Sequence, residues 1–418
     1  MSAGFTSEGI ERLHEIVESH VGDGLVPGLV ALVARGDEVH VFARGQLTIG
    51  GRAVARDSLF RLSSTTKPVT AAATLAVAEE GLLDLDEPVD RLLPELASRR
   101  VLTRMDGPLD RTVAAWRAIT PRDLLTFTFG FGMALAMFMA PEPWPIFEAA
   151  ERQLSLSTLG PPDPGVQPDP DTWIARLGTL PLMAQPGERW LYNTGASVLG
   201  VLLARATGQP FAEVLKTRVF EPLGMSDTAF WTADTERLAT AYRPTPEGLV
   251  VWDEPAGAWS RPPAFADGGA GLVSTADDML AFARMLLGGG TIPSGTIRSG
   301  ALGGRVFGGA GVGRVGSGAE RMLSRESVEA MCADQLTSAQ KEHGGLGPGF
   351  FSARSWGFCQ AVYDDGSFGW DGGFGSSWRV DPANDLVVIV LTQRMFETSD
   401  PPQVHLDIQR AASVALSA

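Results

Sequence analysis

One stretch constrains the fold more than any other. Pro68-Val69-Thr70-Ala71-Ala72-Ala73-Thr74-Leu75-Ala76-Val77-Ala78 is small and apolar on every side of the helix it would form. A helix without a polar face is stable only when buried. The chain therefore needs structure on all sides of this segment, and 418 residues with 44% hydrophobic content are enough to supply it. At the start of the segment stands Lys67, one of only three lysines, the others being Lys216 and Lys341. A lysine leading such a helix is drawn into the core. Burial there disfavours its charged form and pulls its pKa down from about 10.4.

Ser64 lies three residues before Lys67 in Ser64-Thr65-Thr66-Lys67. Residues i and i+3 share a helix face, so the hydroxyl and the amine are within reach of each other. A serine hydroxyl becomes a useful nucleophile when a neighbouring base takes its proton, and a buried lysine meets that need. The spacing alone is weak evidence, since 27 serines and three lysines give about 0.2 such pairs by chance. The weight comes from the buried helix behind it. Ser63 is the poorer candidate, because its i+3 partner is Thr66, which cannot act as a base.

Hydrophobic periodicity organises the rest. It predicts an amphipathic helix over Thr6 to His20, with Ser7 as N-cap and Ile10, Leu13, Ile16 and Val17 on its apolar face. Gly28 to Gly36 and Glu38 to Gly45 read as an antiparallel hairpin turning at Gly36-Asp37. A short helix is expected to end near Leu96. The region from about Thr120 to Ala204 reads as helix and loop, with an irregular connection at Gly160 to Gly165. Thr275 to Leu287 reads as an amphipathic helix and Ser324 to Gln335 as another. Gly288 to Gly318 is glycine-rich and is expected to be a mobile surface loop; it lacks the lysine and the leading strand of a phosphate cradle. Two strands, around Trp378 to Val380 and over Leu386 to Thr392, flank a turn at Asp381 to Asp385. A last helix is expected over Pro402 to Leu416. Strands at both ends with helices between predict one α/β (α+β) unit. Residues 1–78 and 205–418 would form a lobe built on an antiparallel sheet. Residues 79–204 would form an inserted, mainly helical lobe, with the site between the two.

Composition excludes several function classes. A formal charge of −15 and the absence of any lysine or arginine run argue against a nucleic-acid partner. No segment reaches the length of a membrane span. The N-terminus lacks a basic stretch followed by an apolar one, so the expectation is a soluble, cytoplasmic, bacterial-type enzyme. Cys332 and Cys359 are expected to be free thiols. His14, His20, His40, His343 and His405 have no metal-ligand spacing, so no metal site is expected; the serine chemistry expected of this chain requires no cofactor.

The segment Phe60-Arg61-Leu62-Ser63-Ser64-Thr65-Thr66-Lys67-Pro68 resembles the nucleophile motif of the serine β-lactamase and penicillin-binding-protein superfamily. Other segments match in order: Gly81 to Val89, Asp123-Leu124-Leu125-Thr126, Pro222-Leu223-Gly224-Met225, Gly271 to Asp278 and Val380-Asp381-Pro382. Within that superfamily the chain looks most like the class C β-lactamase-like esterases, the family VIII carboxylesterases. Pro186 to Thr194 matches the segment that carries the second motif. The resemblance implies Tyr192 as a proton relay beside Ser64 and Lys67, with Thr194 where lactamases usually have asparagine. It also implies an oxyanion hole made of the backbone N–H groups of Ser64 and Gly373.

The third motif departs from the lactamases. In Gly369-Trp370-Asp371-Gly372-Gly373, Trp370 stands where their lysine would be, as in many of the esterases resembled. Trp370, Asp371 and Gly372 are thereby expected to contact substrate, together with Thr194. Phe127-Thr128-Phe129-Gly130 departs too. Phe127 and Phe129, with Phe131, Met133, Met137, Phe138 and Met139, are expected to shape an apolar pocket for the acyl or alcohol group. The implied activity is cleavage of short to medium carboxylic esters through an acyl-enzyme. The implied partner is a small-molecule ester, and a homo-oligomer is compatible with the reading. The rivals are a β-lactamase or D-alanyl peptidase, an acyltransferase, a histidine-based hydrolase and a catalytically silent binding relative. No Gly-x-Ser-x-Gly elbow supports the histidine alternative.

Overall fold

The computed structural model describes residues 4–22, 24–157, 160–292 and 320–416. Seven strands form the main sheet: β1 (Gly28–Arg35), β2 (Glu38–Gly45), β3 (Arg354–Trp356), β4 (Ala361–Tyr363), β5 (Phe368–Gly372), β6 (Ser376–Asp381) and β7 (Leu386–Thr392). Their order is β2-β1-β7-β6-β5-β4-β3, and every neighbouring pair is antiparallel. The two chain ends meet where β1 pairs with β7, Leu29 opposite Thr392 and Arg35 opposite Leu386. The sheet built from both termini is thus present, and β1 and β7, apolar and buried at nearly every position, are its covered centre.

Side-chain alternation sorts the sheet into two faces. Leu29, Ala31 and Val33 of β1 and Leu386, Val388 and Val390 of β7 pack under two helices, α1 (Ser7–Gly22) and the C-terminal Gln403–Val414 helix. The alternate residues, Val30, Leu32, Val387 and Ile389, face the main core. Through that core runs α2 (Thr66–Glu79), buried from Thr66 to Val77. Its threonines do not strand polar groups: Thr70 donates to the Gly268 carbonyl at 2.8 Å and Thr74 to the Thr70 carbonyl at 2.8 Å. Beside α2 lies α3 (Thr194–Thr207), nearly as apolar and buried over Thr194 to Leu203. The main core does not break at the expected lobe boundary: Val69, Leu125, Leu199 and Trp370 belong to the same cluster.

Several details differ from the sequence expectations. Thr6, not Ser7, caps the first helix, accepting the Gly9 N–H at 3.0 Å. The expected helix near Leu96 is a pair of 3-10 turns, Val89–Arg91 and Pro94–Leu96. The 79–204 stretch also contains a small hairpin, Arg100–Leu102 with Thr112–Ala114, whose three-residue strands are too short for a periodic signal. The helix expected over Thr275 to Leu287 spans Ala276–Leu287, with Thr275 as N-cap to the Asp278 N–H. The helix expected from Ser324 stops at Met331. Most of the glycine-rich segment, residues 293–319, lies outside the described residues.

Candidate active site

The chain enters the site under strain. Ser63 has φ of 47°, a conformation costly for a residue with a side chain. The next turn, Ser63–Thr65, is a 3-10 turn that runs directly into α2. Ser63 and Thr65 are buried while Ser64 keeps partial exposure, so the turn offers one hydroxyl outward. The N–H groups that open a helical turn have no acceptor within it, which leaves the Ser64 amide available to an incoming oxyanion.

Lys67 is wholly buried, and its Nζ lies 2.9 Å from Ser64 Oγ and 2.6 Å from the Gly269 carbonyl. Burial pushes its pKa down to about 7, with Asp267 pulling the other way. Its neutral form is therefore accessible near neutral pH. Asp267 is itself held by Ser197 Oγ at 2.6 Å and the Gly269 N–H at 2.8 Å. Sequence reasoning missed this Asp267-Gly268-Gly269 loop; its only signal is a glycine run ahead of the Gly271 to Asp278 match.

Tyr192 completes the cluster. Its hydroxyl accepts the Trp370 indole N–H at 2.7 Å, and its ring lies 4.7 Å from Lys67 Nζ. Burial pushes the phenol above its ordinary range, so Tyr192 is a neutral phenol at rest. Phe127, Trp190, Trp356 and Trp370 surround the ring edge-on or tilted. Asn193 follows with φ of 86° and ψ of −66°, the strained conformation of a γ-turn, closed by the Thr194 N–H on the Tyr192 carbonyl at 3.3 Å. It was not singled out from the sequence, yet its Oδ1 would lie 3.6 Å from a Cβ placed on Gly269.

Gly372 packs so closely on the Ser64 segment that a Cβ there would come within 2.1 Å of the Leu62 carbonyl oxygen. Only glycine permits that approach, and it sets Gly373 beside the serine turn. A Cβ at Gly373 would meet nothing within 4 Å.

Other expected contacts fall elsewhere. Asp371 is directly opposite Ser377 in the β5–β6 ladder, on the face covered by α1 and the C-terminal helix. Strand alternation turns it away from Trp370 and Ser64. Thr194 is fully buried in the first turn of α3, with no described partner for its hydroxyl. Phe127, Phe129 and Phe131 are sealed in the core, whereas Phe138 and Met139 are 58% and 75% exposed. The expected apolar pocket group is thus divided between core and surface. Phe127 acts on the site through its contact with the Tyr192 ring.

A Ser–His contact does exist, Ser377 Oγ to His405 Nδ1 at 2.8 Å. Both residues are buried on the far side of the sheet, and burial pushes His405 down to about 3. With no access for substrate, this pair cannot serve as a catalytic dyad. Cys332 and Cys359 are free. Among the described residues, no group of three His, Cys, Asp or Glu side chains is placed to hold a metal ion, and no helix is long and apolar enough to cross a membrane.

Comparison with known proteins shows the family and the fold. Residues 13–412 match the family model described as Beta-lactamase. Protein Rv1367c of Mycobacterium tuberculosis is 37% identical over 409 residues, covering 94% of this chain and 90% of its own length. Esterase EstB of Burkholderia gladioli is 31% identical over 425 residues, covering 94% and 92%. Among solved structures, EstCE1, described as a hydrolase with promiscuous acyltransferase activity, shares the fold at a TM-score of 0.75 and 24% identity, covering 97% of this chain and 98% of its own.

Proposed function

The chain belongs to the Beta-lactamase family, and we propose that within it this protein is a serine carboxylesterase of the family VIII type. It cleaves short to medium carboxylic esters through an acyl-enzyme. Ser64 attacks the ester carbonyl. Lys67 and Tyr192 take up and return protons in both half-reactions. The backbone N–H groups of Ser64 and Gly373 receive the oxyanion. The reading is carried by one observation: the Ser64 hydroxyl lies 2.9 Å from the amine of a fully buried lysine, and that burial favours the neutral form a base needs. The 31% identity to Esterase EstB supports ester cleavage in particular.

Trp370 sets the substrate class. Where the lactamase pattern has a cation, this site has an indole whose single donor is engaged by Tyr192. A β-lactam carboxylate entering here loses a charge-assisted contact typically worth about 1.5–3 kcal/mol. That is roughly ten- to hundredfold in equilibrium. A neutral ester loses nothing by the exchange. A panel of nitrophenyl esters from acetate to decanoate, run beside nitrocefin, tests this. Efficient turnover of acetate or butyrate with nitrocefin slow or inert is expected. A kcat/KM for nitrocefin above that for every ester would return the chain to lactamase chemistry. Acyl transfer is the second reading, favoured by the acyltransferase activity of EstCE1: an acyl-enzyme partitions to whichever nucleophile enters.

A further inference from the structure

We infer that Asp267 is a positioning residue: anchored on α3 by Ser197, its carboxylate fixes the two-glycine turn whose Gly269 carbonyl holds the Lys67 amine. The inference rests on the serine-hydrolase reading and adds to it a residue outside the cluster of Ser64, Lys67 and Tyr192.

A lysine amine sits on a flexible four-carbon stem, so its place beside Ser64 must be fixed from outside. Lys67 Nζ lies 2.9 Å from Ser64 Oγ and 2.6 Å from the Gly269 carbonyl. The carbonyl only accepts, and the amine donates to it whether neutral or charged. Where that carbonyl stands therefore decides where Nζ stands. Gly268 and Gly269 do not supply the rigidity, since glycine has the freest backbone. Stiffer residues do not fit between α2 and α3. A Cβ on Gly268 would come within 2.5 Å of the Ala196 carbonyl oxygen, and one on Gly269 within 2.9 Å of Ser197 Oγ. Hydrogen bonds fix the turn instead. A trans peptide points its N–H and C=O in opposite directions, and the peptide between Gly268 and Gly269 is pinned at both. The Gly269 N–H donates to Asp267 Oδ1 at 2.8 Å, and the Gly268 carbonyl accepts from Thr70 Oγ1 at 2.8 Å. The next peptide is pinned the same way, its Ala270 N–H on the Asp267 carbonyl at 3.3 Å and its Gly269 carbonyl on Lys67. Asp267 Oδ1 also takes the Ser197 hydroxyl at 2.6 Å. One buried carboxylate oxygen thus ties α2, which carries Lys67, to α3, which follows Tyr192.

Charge adds a second effect. Among the described residues, the titratable groups facing the Lys67 amine are Tyr192 ahead of α3, Cys359 between β3 and β4, and Asp267. Burial pushes the phenol and the thiol above their ordinary ranges, so both are neutral. Asp267 is the carboxylate among them, and it opposes the burial that lowers Lys67. Without it the ammonium loses its countercharge, the Lys67 pKa falls further, and the neutral amine persists to lower pH. Asparagine at 267 separates the two effects: its amide oxygen accepts both bonds that Oδ1 accepts, but it carries no charge. Alanine removes the bonds and the charge together.

The amine is readable without substrate. The chain has three lysines, so protein carbon-labelled at the lysine ε-positions gives a short spectrum, with Lys67 identified by its absence in Lys67→Arg. In the parent its signal should titrate near pH 7, and in Asp267→Asn the midpoint should move to lower pH. On nitrophenyl butyrate the acid limb of kcat/KM should move the same way. On the alkaline plateau Asp267→Ala should lose about 100-fold in kcat, the cost of displacing a reacting group by about 1 Å. Asp267→Asn, which keeps the bonds, should regain about tenfold or more of that loss. Ser197→Ala, which removes the anchor and leaves the charge, should fall between the parent and Asp267→Ala. An unmoved Lys67 midpoint in Asp267→Asn would overturn the inference, as would full kcat in Asp267→Ala. Should Asp267→Ala fail to fold, a Ser197→Ala variant with the kcat of the parent would overturn it instead. A parent protein that cleaves no ester, with the Lys67 midpoint moving as stated, would overturn the hydrolase reading and leave Asp267 as the partner of the amine.

Discussion

At the scale of the residue, activity turns on the state of one amine. Lys67 is held below its ordinary pKa by burial, to about 7. Its neutral form accepts the serine proton, so kcat/KM for an ester should rise with pH through about 7. A pH profile that is flat between 6 and 8 would contradict this assignment. Arginine keeps the charge and cannot deprotonate in a protein. Lys67→Arg should therefore lose about 10² to 10⁴ in rate. An arginine variant that kept most of the activity would make Lys67 a structural residue. The other serines near the site are committed elsewhere. Ser376 Oγ donates to the Leu62 carbonyl at 2.7 Å, and Ser197 Oγ to Asp267 at 2.6 Å. Lys67 Nζ bonds Ser64 and the Gly269 carbonyl and neither of these two serines, so Ser64→Ala should abolish turnover without unfolding the chain.

At the scale of the element, activity depends on how closely β5 approaches the serine turn. Gly372→Ala would drive a Cβ into the Leu62 carbonyl and push the strand away from Ser64. The expected result is a large loss in kcat on esters, with a smaller loss of stability in urea unfolding; an alanine variant with full kcat would show that this approach does not matter. The same elements show what the sequence made legible. β2 and the Ala276–Leu287 helix carry periodic patterns, β1 and β7 carry unbroken apolar runs, and all four were readable. β3 and β4, three residues each, carry none. Ser64 and Lys67 were readable because they are neighbours in the chain, on one helical turn. The Gly269 carbonyl, 202 residues from Lys67, was not, because a backbone acceptor leaves no mark on side-chain composition. Tyr192 and Trp370, 178 residues apart, were expected in the site by resemblance, but the bond between them needed coordinates. Asp371 was misplaced for a simpler reason: the motif names consecutive residues, while a strand sends them to opposite faces.

At the scale of the whole molecule, the site is held by contacts that span the chain. Arg61, three residues before Ser64, is buried and paired with Asp253, and also donates to the Glu254 carbonyl at 2.9 Å. This ties the nucleophile segment to the Ala241–Thr245 and Gly248–Asp253 hairpin. Removing one partner leaves the other charge stranded, and such losses run to about 3–5 kcal/mol. Arg61→Ala should lower the urea midpoint accordingly; an unchanged midpoint would show that the pair is dispensable. What these contacts hold in place is a chemical step: an ester's acyl group rests on Ser64 during turnover. Rapid acid quench during turnover of nitrophenyl butyrate, followed by peptide mapping by mass spectrometry, reads it most directly. A butyryl group on the peptide carrying Ser64, absent in Ser64→Ala, is the predicted result. A butyryl group on Ser197 or Ser376, or brisk turnover with no acylated peptide when deacylation is slowed by cold, would contradict it.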